Sequence, residues 1–213
     1  MTRWTSASIV AAGMLFGMSR SASPDRIVLA PRGQVATAGT IRLEAAVLAR
    51  NARTNIEWLT VGIPPGDLGL ELEFERSDIG SKGGEDFSLQ YTMTGNAVTD
   101  IAPALTVGIR DLLNRGFQGR AAFAAATKTI GMSLSQEKIT KDLKVHAGIG
   151  TGPMHGPFAG VENRFRVGFT AAAEYAGGRF NASLAFPIAR YGDVRAYSLD
   201  GAFFYGLTLS VRR

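Results

Sequence analysis

The sequence predicts an all-β protein: an antiparallel, up-and-down transmembrane β-barrel of about twelve strands (ten to twelve) behind an N-terminal signal peptide. Three observations predict it. Apolar residues occupy every second position in short segments from Ile41 to Val211. Successive strand residues point to opposite faces, so each such segment has one greasy face. Hydrophobic residues make up 46% of the chain, yet no run long enough for a membrane helix follows the N-terminus. That excludes helical spans and leaves closed strands as the way through lipid. Finally, the chain starts with the pattern of an export signal.

Residues 1–21 read as that signal. Arg3 supplies a positive charge, Ser6 to Ser19 carries none, and Ile9–Met18 is an apolar centre too short to span a bilayer. Cleavage after Ser21 places Ser19 and Ser21 at the small-residue positions, whereas cleavage after Ser23 would put Pro24 next. A retained or buried N-terminal helix is the alternative. Residues 22–40, rich in Pro, Gly, Ser, Thr and Ala, read as a leader, and 41–213 as the barrel domain. Loss of Arg3 and Arg20 with the signal lowers the formal net charge from +5 by two. The basic residues are dispersed among acidic ones, so no nucleic-acid partner is expected. The chain has no cysteine, and a closed hydrogen-bonded barrel needs no disulfide staples.

The strand segments follow in order. Ile41, Leu43, Ala45 and Val47 oppose Arg42 and Glu44. Ile56–Ile63 holds Glu57 and Trp58 and shows no clear face. In Leu68–Glu75, Leu68, Leu70, Leu72 and Phe74 oppose Glu71, Glu73 and Glu75. Phe87, Leu89, Tyr91 and Met93 alternate with Ser88, Gln90, Thr92 and Thr94. Ala121–Ala126 has competing helix propensity, but Thr127, Thr129 and Ile130 after it favour strand. Leu143, Val145, Ala147 and Ile149 alternate with Lys144, His146, Gly148 and Gly150. Phe165 to Tyr175 alternates without a break, setting Arg166 and Glu174 opposite the apolar face. Phe180, Leu184, Phe186 and Ile188 oppose Asn181 and Ser183, and Phe203 to Val211 closes the series. Turn signals lie between: Pro64-Pro65-Gly66-Asp67, Gly80–Gly84, Thr94-Gly95-Asn96, Asn114-Arg115-Gly116, Gly177-Gly178 and Tyr191-Gly192-Asp193. Gly177-Gly178 is the sharpest, because a two-residue hairpin needs positive φ. Ser133–Lys141 reads as an exposed loop.

A soluble sandwich could use the same alternation, with a second sheet on the apolar face. The opposite face here is rich in Gly, Ala, Ser and Thr with scattered charges, which suits a narrow lumen. Aromatics such as Phe165, Tyr175, Phe180, Phe203 and Tyr205 fall near strand ends on the apolar face, as interfacial girdles do. Gly206, Leu207, Leu209 and Val211 form a glycine followed by alternating hydrophobic residues. That pattern resembles the closing-strand signal read by barrel-assembly machinery, although the chain ends in Arg212-Arg213 rather than an aromatic.

Several phrases resemble the YjbH-type outer-membrane barrels associated with exopolysaccharide production. They are Val107–Leu112, Ala126-Thr127-Lys128, Val145–Gly152, Gly156–Glu162, and Ala173-Glu174-Tyr175 leading into Phe180-Asn181-Ala182. Order and spacing match over about residues 100–210, and the phrases are strand residues with glycine rather than catalytic signatures. The resemblance implies a bacterial, Gram-negative outer-membrane location and a role in exopolysaccharide export. It transfers no catalytic residue. The partners expected are outer-membrane lipid, the assembly machinery, and polysaccharide or small solutes.

The charges expected to face the lumen are Glu71, Glu73, Glu75, Arg110, Arg120, Lys128, Lys144, Arg166 and Glu174. Rings of charge can select ions, but opposite signs in a narrow interior usually meet. The ladder Glu71, Glu73, Glu75 is thus expected to pair with Arg42, Arg110, Arg120, Lys128 or Arg166. His146 and His155 lack ligand spacing, so neither metal nor cofactor is expected. Gly148, Gly150 and Gly152 continue a strand and make no phosphate loop. No signature joins His146 to Ser88, Ser183 or Ser210, so no enzyme is expected. A secreted or periplasmic β-protein binding a ligand or polymer is the alternative.

Overall fold

The computed structural model describes residues 26–63, 69–79, 82–94, 102–116, 119–130, 139–189 and 191–212. The signal peptide of 1–21, the first part of the leader, the Pro64–Asp67 turn and most of the Ser133–Lys141 loop lie outside the described residues. The strands are β1 (Thr40–Leu48), β2 (Asn51–Ile63), β3 (Leu70–Ile79), β4 (Lys82–Thr94), β5 (Ala104–Arg110) and β6 (Ala121–Thr129). They continue as β7 (Thr140–Gly150), β8 (Gly156–Phe165), β9 (Thr170–Ala176), β10 (Arg179–Ala189), β11 (Gly192–Leu199) and β12 (Ala202–Arg212). Each pairs antiparallel with its sequence neighbours, and β12 pairs with β1 from Thr40↔Arg212 to Leu48↔Phe204, closing a twelve-strand barrel. Closure leaves no sheet edge unpaired.

Register follows from the period of two. Across β12, β1 and β2 the outward side chains stack as Val211, Ile41 and Val61, while inward positions align Thr208, Glu44 and Trp58. Ala121–Ala126 lies within β6, where Ala121, Phe123, Ala125 and Thr127 are buried. Gly177 and Gly178, with φ 57° and 78°, make the β9–β10 hairpin. Asp200 and Gly201, with φ 49° and 79°, make the β11–β12 hairpin in the same way. That Asp-Gly pair was an available turn signal.

Three expectations are corrected by the fold. The run Phe165–Tyr175 is two strands: β8 ends at Phe165, a turn at 166–169 contains Gly168 at φ 106°, and β9 begins at Thr170. Arg166 therefore sits exposed in a turn, its N–H on the Ile139 carbonyl. Lys128 shares the outward parity of Ala122, Ala124 and Ala126 rather than facing the lumen. Arg120 precedes β6, is exposed, and donates to the Leu112 carbonyl at 2.6 Å. For Arg166 and Arg120 the cause is the same, an alternation that continues past strand ends where the backbone turns; Lys128 lies within β6 but on its outward parity, among alanines too small to mark the face.

The apolar outer face stays uncovered. Ile149, Phe180 and Phe203 expose 61%, 61% and 63% of their surface, and Leu72, Val107, Ile109, Val145, Val161, Leu184 and Val194 also stand outward and exposed. The buried apolar cluster lies inside the barrel. It gathers Ile56 and Trp58 of β2, Phe123, Phe158, Tyr197 and Phe204 around Ile27, Val28 and Ala30 from ahead of β1.

Candidate functional site: a lumen filled by the N-terminal segment

The leader does not merely approach the first strand. Residues 26–37 run inside the barrel and touch wall side chains from most of its circumference. The Arg26 guanidinium lies 4.0 Å over the Trp58 ring, donates to Glu44 of β1 at 2.8 Å, and pairs with Glu73 of β3. Tyr197 of β11 donates its hydroxyl to the same Glu44 oxygen. Arg42 and Arg195 stand 3.9 and 3.8 Å from the other.

A tight turn follows, with the Ile27 N–H on the Ala30 carbonyl at 2.8 Å. It turns the N–H groups of Val28, Leu29 and Ala30 toward one carboxylate, Glu174 of β9, at 2.8, 2.9 and 2.9 Å. Asn181 of β10 donates to Glu174 as well, at 2.9 Å. Consecutive N–H groups make a small anion-binding concavity, and a wall glutamate fills it. Hydrogen bonds to a charged acceptor contribute about 1.5–3 kcal/mol each, so Glu174 is a principal anchor of the segment.

Toward the rim, Arg32 pairs with Glu162 of β8. The Gly33 N–H donates to Thr127 Oγ1 of β6 at 2.8 Å, and that oxygen lies 2.8 Å from His146 Nδ1. A Cβ on Gly33 would meet the Thr127 nitrogen at 2.3 Å and the Ala104 carbonyl at 2.4 Å, so only glycine lets the segment lie this close to the wall. The Val35 N–H donates to Thr92 Oγ1 at 3.2 Å, and the Ala36 N–H to Glu71, which also accepts from Gln90. The Gly39 N–H on the Gly62 carbonyl, at 3.0 Å, leads the chain into β1.

Of the charges singled out from sequence, Glu71, Glu73, Glu75, Arg110 and Glu174 are buried in the lumen. Lys144 is half-buried there, 3.5 Å from Asp142. Glu75 accepts the Trp58 indole N–H at 3.1 Å. Gly206, Leu207, Leu209 and Val211 lie on β12, the strand that closes the barrel against β1. The partners of the glutamate ladder were expected on other strands; Gln90 of β4 does donate to Glu71, and the N-terminal segment adds Ala36 at Glu71 and Arg26 at Glu73. Sequence reasoning missed Arg26, Arg32, Glu44, Glu162, Thr127, Arg195 and Tyr197. One signal was present: between residues 26 and 40, Arg26 and Arg32 are the charged residues, separated by the apolar run Ile27–Ala30.

With the segment in place the lumen is largely filled. A cavity of about 130 Å³ remains beside Ile27, bordered by Lys144, Arg164, Ser183, Asp193 and Arg195. That is smaller than the ~300–1,000 Å³ usual for small-molecule sites. Among the described residues, no group of His, Asp and Glu is placed to hold a metal ion.

No family model matches the chain, and no curated protein sequence matches it. A solved structure, a KdgM porin, superposes with a TM-score of 0.50 at 9% identity, covering 82% of this chain and 99% of that one. At that identity the likeness is one of fold alone: the chain is a closed twelve-strand antiparallel barrel that superposes on that porin.

Proposed function

We propose that this chain is a non-enzymatic outer-membrane barrel of a Gram-negative cell, exported by residues 1–21, that gives small solutes a passage closed at rest by its own N-terminal segment. One observation carries the reading. A closed hydrogen-bond ladder turns a continuous apolar surface outward and a polar, charged surface inward. In water such a surface far exceeds the few hundred Å² that soluble proteins leave uncovered, whereas in a bilayer it is the covered face. Strands of 7 to 13 residues bracket the roughly 9–11 that cross the hydrocarbon when tilted. The porin fold of the structural neighbour supports passage as the role.

Finer points rest on the sequence. The YjbH-like phrases over about residues 100–210 suggest a task linked to exopolysaccharide export, and the β12 pattern Gly206, Leu207, Leu209, Val211 suggests insertion by the barrel-assembly machinery. Cell fractionation with heat-dependent gel mobility tests the proposal. The processed protein should sediment with the outer membrane, need detergent for extraction, and migrate faster unboiled than boiled. Recovery from the periplasm without detergent would overturn it in favour of a soluble β-protein.

A further inference from the structure

The strands that line the lumen carry an excess of acid. Among the described residues, the buried strand carboxylates are Glu44, Glu71, Glu73, Glu75, Asp86, Glu162 and Glu174, and the buried strand arginines are Arg42, Arg110 and Arg195. Five of these glutamates are the ones that hold residues 26–36: Glu44 and Glu73 on Arg26, Glu162 on Arg32, Glu174 on three backbone N–H groups, and Glu71 on the Ala36 N–H. Burying so many carboxylates without compensation is costly, and here part of the compensation comes from this one peptide, beside wall donors such as Arg42, Arg195, Gln90 and Asn181. That peptide is not a strand of the barrel: it holds the wall through side-chain acceptors, the Trp58 ring and the inner apolar cluster, and bonds at Gly39 and Thr40 lead it into β1.

We infer that residues 26–36 are a displaceable plug, and that the lumen exposed when they leave is a cation-selective passage. The inference rests on the outer-membrane barrel reading and adds that the closing segment can leave, and the charge of what then passes. Once vacated, the glutamate seats face water, and a narrow bore lined by them attracts cations and repels anions. Solutes carrying amine or guanidinium groups fit the same seats that Arg26 and Arg32 occupy. The ladder strands keep their pairing, because the plug contributes no rung to them.

The absence of cysteine permits a direct test. A Cβ built at Gly69 lies 3.8 Å from Val35 Cβ, the spacing of a disulfide, and Val35→Cys removes the Cγ2 that now crowds Gly69. The full chain carrying Val35→Cys and Gly69→Cys is reconstituted in planar bilayers, with Glu174→Gln on the wild-type background as an independent route to release. Heat-dependent mobility of each variant confirms that the barrel is folded. The expected result is open-channel time raised about tenfold or more by Glu174→Gln, since one charged anchor of three N–H groups is weakened. In the double-cysteine chain, openings should be suppressed under oxidation and restored by dithiothreitol. In a KCl gradient the open state should favour K⁺ over Cl⁻ by roughly fivefold or more, as a bore ringed by carboxylates does. A folded Glu174→Gln barrel that stays closed, openings indifferent to the disulfide, or an anion-selective open state would each overturn the inference. A barrel that folds but never conducts refutes the plug alone; a chain that dissolves without detergent refutes the membrane reading beneath it.

Discussion

Glu174 shows how one residue type serves both wall and plug. On sequence it is the single acid in an alanine-rich strand, Thr170–Ala176, and its parity places it inward. Its parity was readable, and so was its cross-strand neighbour Asn181, but its other three partners were not, because they are backbone N–H groups from residues 28–30, and backbone donors leave no trace in composition. The inward glycines follow a different logic. Gly148 of β7 lies opposite Phe158 of β8, and a Cβ there would meet Phe158 Cζ at 2.1 Å. The ring thus fills the space that the missing side chain leaves, a cross-strand pairing of aromatic over glycine. Gly148→Val should displace Phe158 from the inner cluster and lower unfolding stability by about 1–3 kcal/mol, measured by urea titration in lipid vesicles. An unchanged midpoint would mean that the ring does not occupy that space.

At the scale of elements, most strands announce themselves. In β1, β3, β4, β7 and β10 the apolar parity seen in the sequence is the outward parity of the fold, as the proposed lipid-facing surface requires. Ile56–Ile63 gave no face because its inward residues include Ile56 and Trp58, which are apolar. A pattern that assumes a wet lumen fails where the lumen is packed: these two side chains belong to the buried apolar cluster that includes Ile27 and Val28, and Arg26 covers the Trp58 ring. The turn at 166–169 was hidden by alternation that runs through it, with Gly168 as its main signature. The closing strand offers a sharper test of the outer face. Leu207 is exposed between Ala45 of β1 and Val194 of β11. Leu207→Arg should cost about 2–4 kcal/mol if hydrocarbon surrounds it near mid-membrane. In a soluble protein the same exposed change would stay within about 0.5 kcal/mol. Refolding titrations in lipid distinguish the two.

For the whole molecule, the barrel was legible and its contents were not. Period-two patterning dictates strands, and twelve strands with short turns close on themselves, so the architecture follows from local rules. Where the leader goes is a non-local matter. It depends on matching Arg26 and Arg32 to glutamates whose separation in sequence runs from 18 residues, for Glu44, to well over a hundred for Glu162. No local rule supplies that match; the pair Arg26 and Arg32 around an apolar run and the imbalance of buried charge hint at it. The same imbalance ties the two readings together, since lipid outside forces the charges inward and a narrow interior forces them to find partners.

Nitroxide scanning of β5 tests most directly what touches the outer face. Single cysteines at Leu105, Thr106, Val107, Gly108 and Ile109, labelled in the vesicle-reconstituted chain, report access to molecular oxygen, which concentrates in hydrocarbon, and to a water-soluble nickel chelate. Oxygen access should peak at Leu105, Val107 and Ile109 and fall at Thr106 and Gly108, whose side-chain direction is inward. High nickel access at the three odd positions, or no oscillation along the strand, would contradict the account.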